Sequence, residues 1–293
     1  MFIGSYVALI TPMDINGKVD YQSLRRLVEF HVESGTDGIV SVGTTGESAT
    51  LPFDEHVEAV KKTVEFAQNR LPVIAGSGAN STDEAVALTE QLSKTGIKGC
   101  LSVVPYYNKP QQRGMIAHFE AIANSTELPT LLYNVPGRTS VDMLPSTVAE
   151  LAEHPKIVGL KDATGDIQRL LDTLPLVSEK FLFLSGDDIT SAEFLKAGGH
   201  GVISVTANIV PELMARMCKL LRLGEYEQAL AINEKIKVLH QDLFVESNPV
   251  ISKWALYKMG LIETPKLRLP LMTPELVSQK QIEDTLKSLA LIS

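Results

Sequence analysis

Short apolar segments alternate with longer amphipathic segments over residues 1–224, and this alternation restricts the possible folds more than any other feature. The apolar segments are rich in valine, isoleucine and leucine and lack regular polar alternation, which is typical of parallel strands covered on both faces. We predict eight strands, at Tyr6–Ile10, Gly38–Val42, Val73–Gly76, Gly99–Val103, Thr130–Tyr133, Ile157–Lys161, Phe181–Ser185 and Gly201–Ser204. Eight strand–helix units of similar length predict an α/β protein, a closed (β/α)8 TIM barrel.

The segments between the strands have the apolar spacing of helices. The apolar side chains of residues 21–34 fall on one face of a helix, and Gly35 follows at the position expected for a helix C-terminus. Ser81 or Thr82 is expected to cap a later helix. The barrel helices are predicted at Tyr21–Ser34, Asp54–Gln68, Thr82–Lys94, Gln111–Asn124, Pro145–Ala152, Ile167–Leu174, Ile189–Ala197 and Pro211–Leu223.

Strand patterns stop near residue 223, and three further helices are predicted, at Tyr226–Phe244, Pro249–Met259 and Pro274–Ala290. We therefore expect a catalytic barrel over residues 1–224 and a C-terminal helical domain over 225–293. An open doubly wound sheet is disfavoured because the chain has no GxGxxG or Walker A sequence.

Composition narrows the class of partner. The net charge of −8 disfavours nucleic-acid binding, which needs a concentrated positive field. No apolar segment is long enough to span a membrane, and the N-terminus lacks the basic start of a signal peptide. Cys100 and Cys218 lie far apart in apolar segments, which indicates core residues in a reducing compartment. We expect a cytoplasmic protein.

Candidate reactive residues gather at the ends of the predicted strands. In TIM barrels the active site lies at the C-terminal ends of the strands and in the loops that follow. The residues at these positions are Lys161, Tyr133, Arg138, the Thr44–Thr45 pair and the Tyr106–Tyr107 pair. We therefore expect them around one mouth of the barrel.

Lys161 is the residue in this group that is best suited to covalent chemistry. Burial at a strand end disfavours the ammonium form, and the neutral amine can form an imine with a ketone. The alternative is an ordinary lysine whose ammonium group reaches solvent.

The GTTGE segment at 43–47 offers two hydroxyls and a glycine-rich turn that can hold a small carboxylate. The alternative is a plain turn before a helix. Arg138 suits bidentate carboxylate binding, although many loop arginines only face water. The six histidines show no metal-ligand spacing, so no metal is predicted.

An ordered set of motifs covers nearly the whole chain. The motifs are TPM at 11–13, GTTGES at 43–48, AGSGAN at 75–80, PYYNKP at 105–110, YNVPGRT at 133–139, GLKDATGD at 159–166, LSGDD at 184–188, GVISVTAN at 201–208 and NPVISKWAL at 248–256. Together they resemble the dihydrodipicolinate synthase family, within the N-acetylneuraminate lyase superfamily of Schiff-base aldolases.

The resemblance implies condensation of pyruvate with L-aspartate-4-semialdehyde to 4-hydroxy-tetrahydrodipicolinate, in the diaminopimelate pathway to lysine. Lys161 would form the Schiff base with pyruvate, and Tyr133 would move protons at that centre. Thr44 would link Tyr133 to Tyr107, which would reach in from a neighbouring subunit. The covalent pyruvate imine would take the place of any cofactor.

The resemblance also implies the binding residues. Thr45 would receive the pyruvate carboxylate and Arg138 the semialdehyde carboxylate, while Gly186 and Ile203 would line the pocket. The family is usually a homotetramer built from two tight dimers. An L-lysine effector would bind at the tight-dimer interface through Ser48, Ala49, His56, Asn80, Glu84 and Tyr106. Phe53 departs from the pattern, since lysine-sensitive members often have histidine there.

Two alternatives remain open at this point. A sibling pyruvate-dependent aldolase, such as N-acetylneuraminate lyase, would share the barrel, the lysine and the tyrosine. Arg138 and the Thr44–Thr45 pair favour a small carboxylated aldehyde over a sugar acid. A non-catalytic pyruvate-binding or assembly protein would have no reason to keep Lys161, Tyr133, Thr44 and Tyr107 together.

Overall fold

The eight predicted strands form a closed parallel barrel in a computed structural model, which describes residues 2–293. The strands are β1 (Gly4–Ala8), β2 (Gly38–Ser41), β3 (Val73–Gly76), β4 (Gly99–Val103), β5 (Thr130–Asn134), β6 (Ile157–Asp162), β7 (Leu182–Ser185) and β8 (Gly201–Ser204). Each strand pairs with the next in the chain, and β8 closes on β1 with Gly201 opposite Gly4. The predicted TIM barrel is confirmed, and the strand bounds differ from the prediction by at most two residues.

Helices cover the outside of the barrel and continue beyond it. They are α1 (Tyr21–Glu33), α2 (Phe53–Ala67), α3 (Thr82–Leu92), α4 (Gln112–Asn124), α5 (Pro136–Thr139), α6 (Pro145–Ala152), α7 (Ile167–Thr173), α8 (Ser191–Lys196), α9 (Pro211–Arg222), α10 (Tyr226–Asp242), α11 (Val250–Lys258) and α12 (Leu276–Ser288). The short helix α5 was not predicted. It places Arg138 one turn beyond the end of β5.

The ends of the helices follow the polar signals in the sequence. The side chain of Asp20 accepts hydrogen bonds from the backbone N–H groups of Gln22 and Ser23, which begins α1. Gly35 follows that helix with φ of +71°, a conformation that glycine adopts without a steric cost. Ser81 caps α3 by accepting from the N–H of Glu84.

Two apolar cores stabilise the barrel. Alternate strand residues point inward, so that Val40, Leu131 and Ile203 pack inside the barrel. Their chain neighbours Ile39, Leu132 and Val202 point outward and pack under the helices. Cys100 and Cys218 are buried free thiols, as predicted.

The C-terminal helices α10, α11 and α12 form the predicted helical extension and pack on α8, α9 and one another. Gly224, with φ of +79°, lies between α9 and α10. The proposed domain boundary after residue 224 stays a prediction. In residues 2–293, no helix is long and apolar enough to cross a membrane. The cytoplasmic location also stays a prediction.

Candidate active site

Lys161 lies inside the barrel near the C-terminal end of β6. Its strand partners in register are Tyr133 on β5 and Leu184 on β7. The side chain is only 6% exposed. Its Nζ lies 4.1 Å from the centroid of the Tyr133 ring. The two residues predicted to carry the chemistry are therefore in direct contact.

Gly186 makes room for this lysine. A Cβ atom at position 186 would lie 2.8 Å from Lys161 Cε and 2.8 Å from Ala163 Cβ, closer than carbon atoms approach without displacement. The backbone N–H of Gly186 donates to the carbonyl of Asp162, which fixes this loop against β6. Ile203, 1% exposed on β8, packs in the same inner core as Tyr133. Gly186 thus forms a close wall beside the Lys161 side chain.

The GTTGE segment folds into a tight turn directly after β2. The N–H groups of Gly46 and Ser48 donate to the carbonyl of Gly43, and Glu47 has φ of +59°. Gly46 is required by close approach, since a Cβ there would lie 2.7 Å from the Cα of Val42. At Gly43 a Cβ would make an ordinary contact of 3.6 Å, so only one of the two glycines is needed for space.

Asn248 joins this turn to Arg138. Thr44 is half-buried, whereas Thr45 is buried and its Oγ1 accepts a hydrogen bond of 2.9 Å from Asn248 Nδ2. The exposed Arg138 donates from Nη2 to the backbone carbonyl of Asn248 at 3.1 Å. The two predicted carboxylate-binding residues therefore have a common neighbour in the C-terminal region.

A buried ion pair holds the C-terminal region against the same turn. Lys253 on α11 and Glu47 form this pair, and their side chains are 0% and 1% exposed. Burial lowers the pKa of Lys253, and the Glu47 carboxylate opposes that shift. The backbone N–H of Arg268 donates to the other Glu47 oxygen at 3.0 Å. The sequence motifs contain Glu47 and Lys253, but no local spacing predicts that they meet.

Tyr107 projects away from the chain that carries it. Its side chain is 90% exposed, and its φ of +72° is unusual for a bulky residue. Backbone strain of this kind is concentrated at functional segments. Tyr107 follows β4 at the same end of the barrel as the other candidates.

The six residues predicted to hold an effector lie in three neighbouring segments. Tyr106 lies near Glu84 and Asn80. Burial first, and then the Glu84 charge, raise the pKa of Tyr106, while a hydrogen bond with the Asn80 backbone lowers it. Ser48 and Ala49 form a 3-10 turn just after Glu47. Phe53 begins α2 and is 44% exposed.

His56 differs from the other residues predicted for that site because it is buried. It is 4% exposed, and its Nε2 is hydrogen-bonded to the carbonyl of Gly76 at 2.9 Å. Burial lowers its pKa to about 4, although the Gly76 hydrogen bond opposes the shift. The ring is neutral at pH 7, so Nε2 donates to Gly76 and only Nδ1 is left to accept from a ligand.

Comparison with known proteins agrees with this geometry. The model of the dihydrodipicolinate synthetase family matches residues 1–289. A curated 4-hydroxy-tetrahydrodipicolinate synthase from Pseudoalteromonas atlantica is 64% identical over 293 residues, covering 100% of both chains.

Solved structures agree as well. The chloride-inhibited dihydrodipicolinate synthase of Acinetobacter baumannii, complexed with pyruvate, is 47% identical, has a TM-score of 0.98 and is covered over 100% of both chains. The dihydrodipicolinate synthase of Cyanidioschyzon merolae with lysine bound is 39% identical, with a TM-score of 0.94 and 99% coverage of both chains. The chain belongs to the dihydrodipicolinate synthase family.

Proposed function

We propose that this chain condenses pyruvate with L-aspartate-4-semialdehyde, through a Schiff base on Lys161, to give 4-hydroxy-tetrahydrodipicolinate for diaminopimelate and lysine biosynthesis. The observation that carries the proposal is the buried Lys161 amine beside the Tyr133 ring, with Gly186 leaving room around it. Membership of the family and the 64% identical relative support the choice of reaction.

The first half of the reaction forms the nucleophile. The neutral amine of Lys161 attacks the ketone carbon of pyruvate, and water leaves as the imine forms. The protonated imine makes the adjacent methyl group acidic, so that loss of a proton gives an enamine. Tyr133 is the group that moves protons at this centre, and Thr44 and the partner-supplied Tyr107 carry them onward. Because the imine nitrogen accepts the electron pair, the covalent imine acts as the electron sink in this step.

The second half joins the two substrates. The enamine carbon attacks the aldehyde carbon of the semialdehyde and forms the new carbon–carbon bond, while the imine to Lys161 is restored. The carbon–oxygen π bond of the aldehyde breaks, and its oxygen takes up a proton from the Tyr133 relay to become the 4-hydroxyl group. The amino group of that substrate then displaces Lys161 from the imine carbon, which closes the ring and frees the enzyme. Thr45 and its turn hold the pyruvate carboxylate, and Arg138 holds the carboxylate of the semialdehyde.

Assembly belongs to the same proposal. The exposed, strained Tyr107 reaches the Thr44 hydroxyl of a second copy, so a tight dimer completes the site, and two dimers form a tetramer. The solvent exposure of the Tyr107 ring supports this arrangement, since 90% of a large aromatic side chain faces solvent in the single chain.

An L-lysine effector is expected at the same interface. Glu84 pairs with the ammonium group, Tyr106 packs along the aliphatic chain, and His56 offers Nδ1. Asn80, Ser48 and Ala49 border the site. The proximity of Tyr106, Glu84 and Asn80 supports this arrangement.

The experiment that tests the reaction compares two substrates in parallel. The purified chain should consume semialdehyde only when pyruvate is present, and it should leave N-acetylneuraminate uncleaved. Cleavage of the sugar acid without condensation would instead identify a sibling aldolase. Absence of both activities in a preparation that is folded by circular dichroism would favour a non-catalytic protein.

A further inference from the structure

The side chain of Asn248 has a specific polar contact although it lies outside the barrel strands. It is 5% exposed, and its Nδ2 donates to Thr45 Oγ1 at 2.9 Å across 203 positions of sequence. A threonine hydroxyl has one hydrogen to donate and two lone pairs that accept. When Asn248 occupies one lone pair, the hydroxyl hydrogen of Thr45 remains free for an acceptor in the pocket.

We infer that Asn248 is a positioning residue for pyruvate, which orients the Thr45 hydroxyl so that its hydrogen points to the substrate carboxylate. The inference rests on the carboxylate-binding role proposed for Thr45. Asn248 itself touches no reacting atom, and its effect reaches the substrate through Thr45.

The side chain and the backbone of Asn248 have different partners. Arg138 binds the backbone carbonyl of Asn248, which every substitution at this position retains. The backbone of α11 is held independently by the buried pair of Lys253 with Glu47, which lies two residues after Thr45. Removal of the Asn248 side chain should therefore disturb Thr45 while it leaves Arg138 and the fold in place.

These contacts predict different effects on the two substrates. Asn248→Ala should raise the KM for pyruvate by about three- to ten-fold, the usual effect of one hydrogen bond. The value of kcat and the KM for the semialdehyde should stay close to wild type, because the Arg138 contact remains. A side chain that only stabilised the fold would change all three constants together.

Asn248→Asp tests the direction of the hydrogen bond with a side chain of nearly the same shape. An ionised carboxylate can only accept, so Thr45 would turn its hydrogen toward position 248 and present lone pairs to pyruvate. The pyruvate KM should therefore rise more in Asn248→Asp than in Asn248→Ala. A role in filling space predicts the reverse order, since aspartate preserves the volume.

The experiment measures both KM values for these variants in the wild-type and Thr45→Val backgrounds, with borohydride trapping of pyruvate as a check on the imine. Asn124→Ala is a matched control, since it removes only an exposed side-chain contact with His154. In the Thr45→Val background the effect of Asn248→Ala on pyruvate KM should vanish.

Two groups of outcomes would overturn the inference. The first is an unchanged pyruvate KM in Asn248→Ala, or an equal effect of that substitution in both backgrounds, while wild type still traps pyruvate. The second is a wild-type enzyme that traps no pyruvate at all, which would refute the proposed function together with the role of Asn248.

Discussion

Replacement of Arg138 should impair use of the second substrate and spare the first step. Arg138 is exposed on the short helix α5, and its guanidinium contacts the backbone carbonyl of Asn248 at 3.1 Å. Because Arg138 is exposed and this is one part-buried hydrogen bond, Arg138→Ala should change the free energy of unfolding by about 1 kcal/mol. The proposed contact with the semialdehyde carboxylate is charge-assisted and bidentate. Its loss should cost about 1.5–3 kcal/mol in transition-state binding, or roughly ten- to a hundred-fold in kcat/KM.

The assay for Arg138 separates the two half-reactions. Steady-state rates at varied semialdehyde give kcat/KM, and borohydride trapping with pyruvate alone reports imine formation. Arg138→Ala should trap pyruvate like wild type and lose turnover, and Arg138→Lys should recover part of the loss because it keeps the charge without the bidentate geometry. The assignment is refuted by wild-type kcat/KM in Arg138→Ala, or by trapping that falls as much as turnover.

Three further predictions concern assembly, regulation and pH. Tyr107→Phe should lower kcat without changing the oligomeric state, whereas a fully active monomer would exclude a contribution of Tyr107 across an interface. L-Lysine should inhibit the enzyme partially, and Glu84→Thr should abolish the inhibition. Phe53→His should strengthen the inhibition about three- to ten-fold, because histidine adds a hydrogen-bonding group. Inhibition that survives Glu84→Thr would argue against the site. Burial lowers the pKa of His56 to about 4 in the folded protein, whereas the pKa of an exposed histidine in the unfolded chain is 6.5. Between these two pH values the unfolded chain binds a proton at His56 and the folded protein does not. His56 alone should therefore lower the stability by about 3 kcal/mol as the pH drops through this window, in addition to the effect of other buried histidines such as His31 and His118. His56→Gln should make the fall in stability less steep by that amount, and an unchanged slope would contradict the burial argument.

Much of the barrel could be predicted because its signals are local. A buried parallel strand needs only a short apolar segment, and the segment at 73–76 was predicted at its observed bounds. The C-terminal end of α1 could also be predicted, since Gly35 adopts the positive φ that this position requires. The helix α5 was missed because four residues, Pro136–Thr139, are too short to show a helical repeat.

Some residues of the candidate site could likewise be predicted from local signals, and others could not. Lys161 and Tyr133 were identified from their places at strand ends, and the parallel pairing of β5 with β6 makes them neighbours in register. Asn248 and the Lys253–Glu47 pair were not identified as parts of the site. Their contacts join segments about two hundred residues apart and depend on how α11 packs, which no local pattern encodes.

The most direct test of the proposed mechanism is the position of the covalent bond to pyruvate. Wild-type protein reduced with borohydride in the presence of pyruvate should gain the mass of one reduced adduct, located by peptide mass spectrometry on Lys161. Lys161→Ala should gain none, and Lys156→Ala, which removes a half-buried lysine that binds Glu127 and the Thr126 carbonyl, should label like wild type. Label on another lysine, or none on the wild-type protein, would contradict the Schiff-base mechanism.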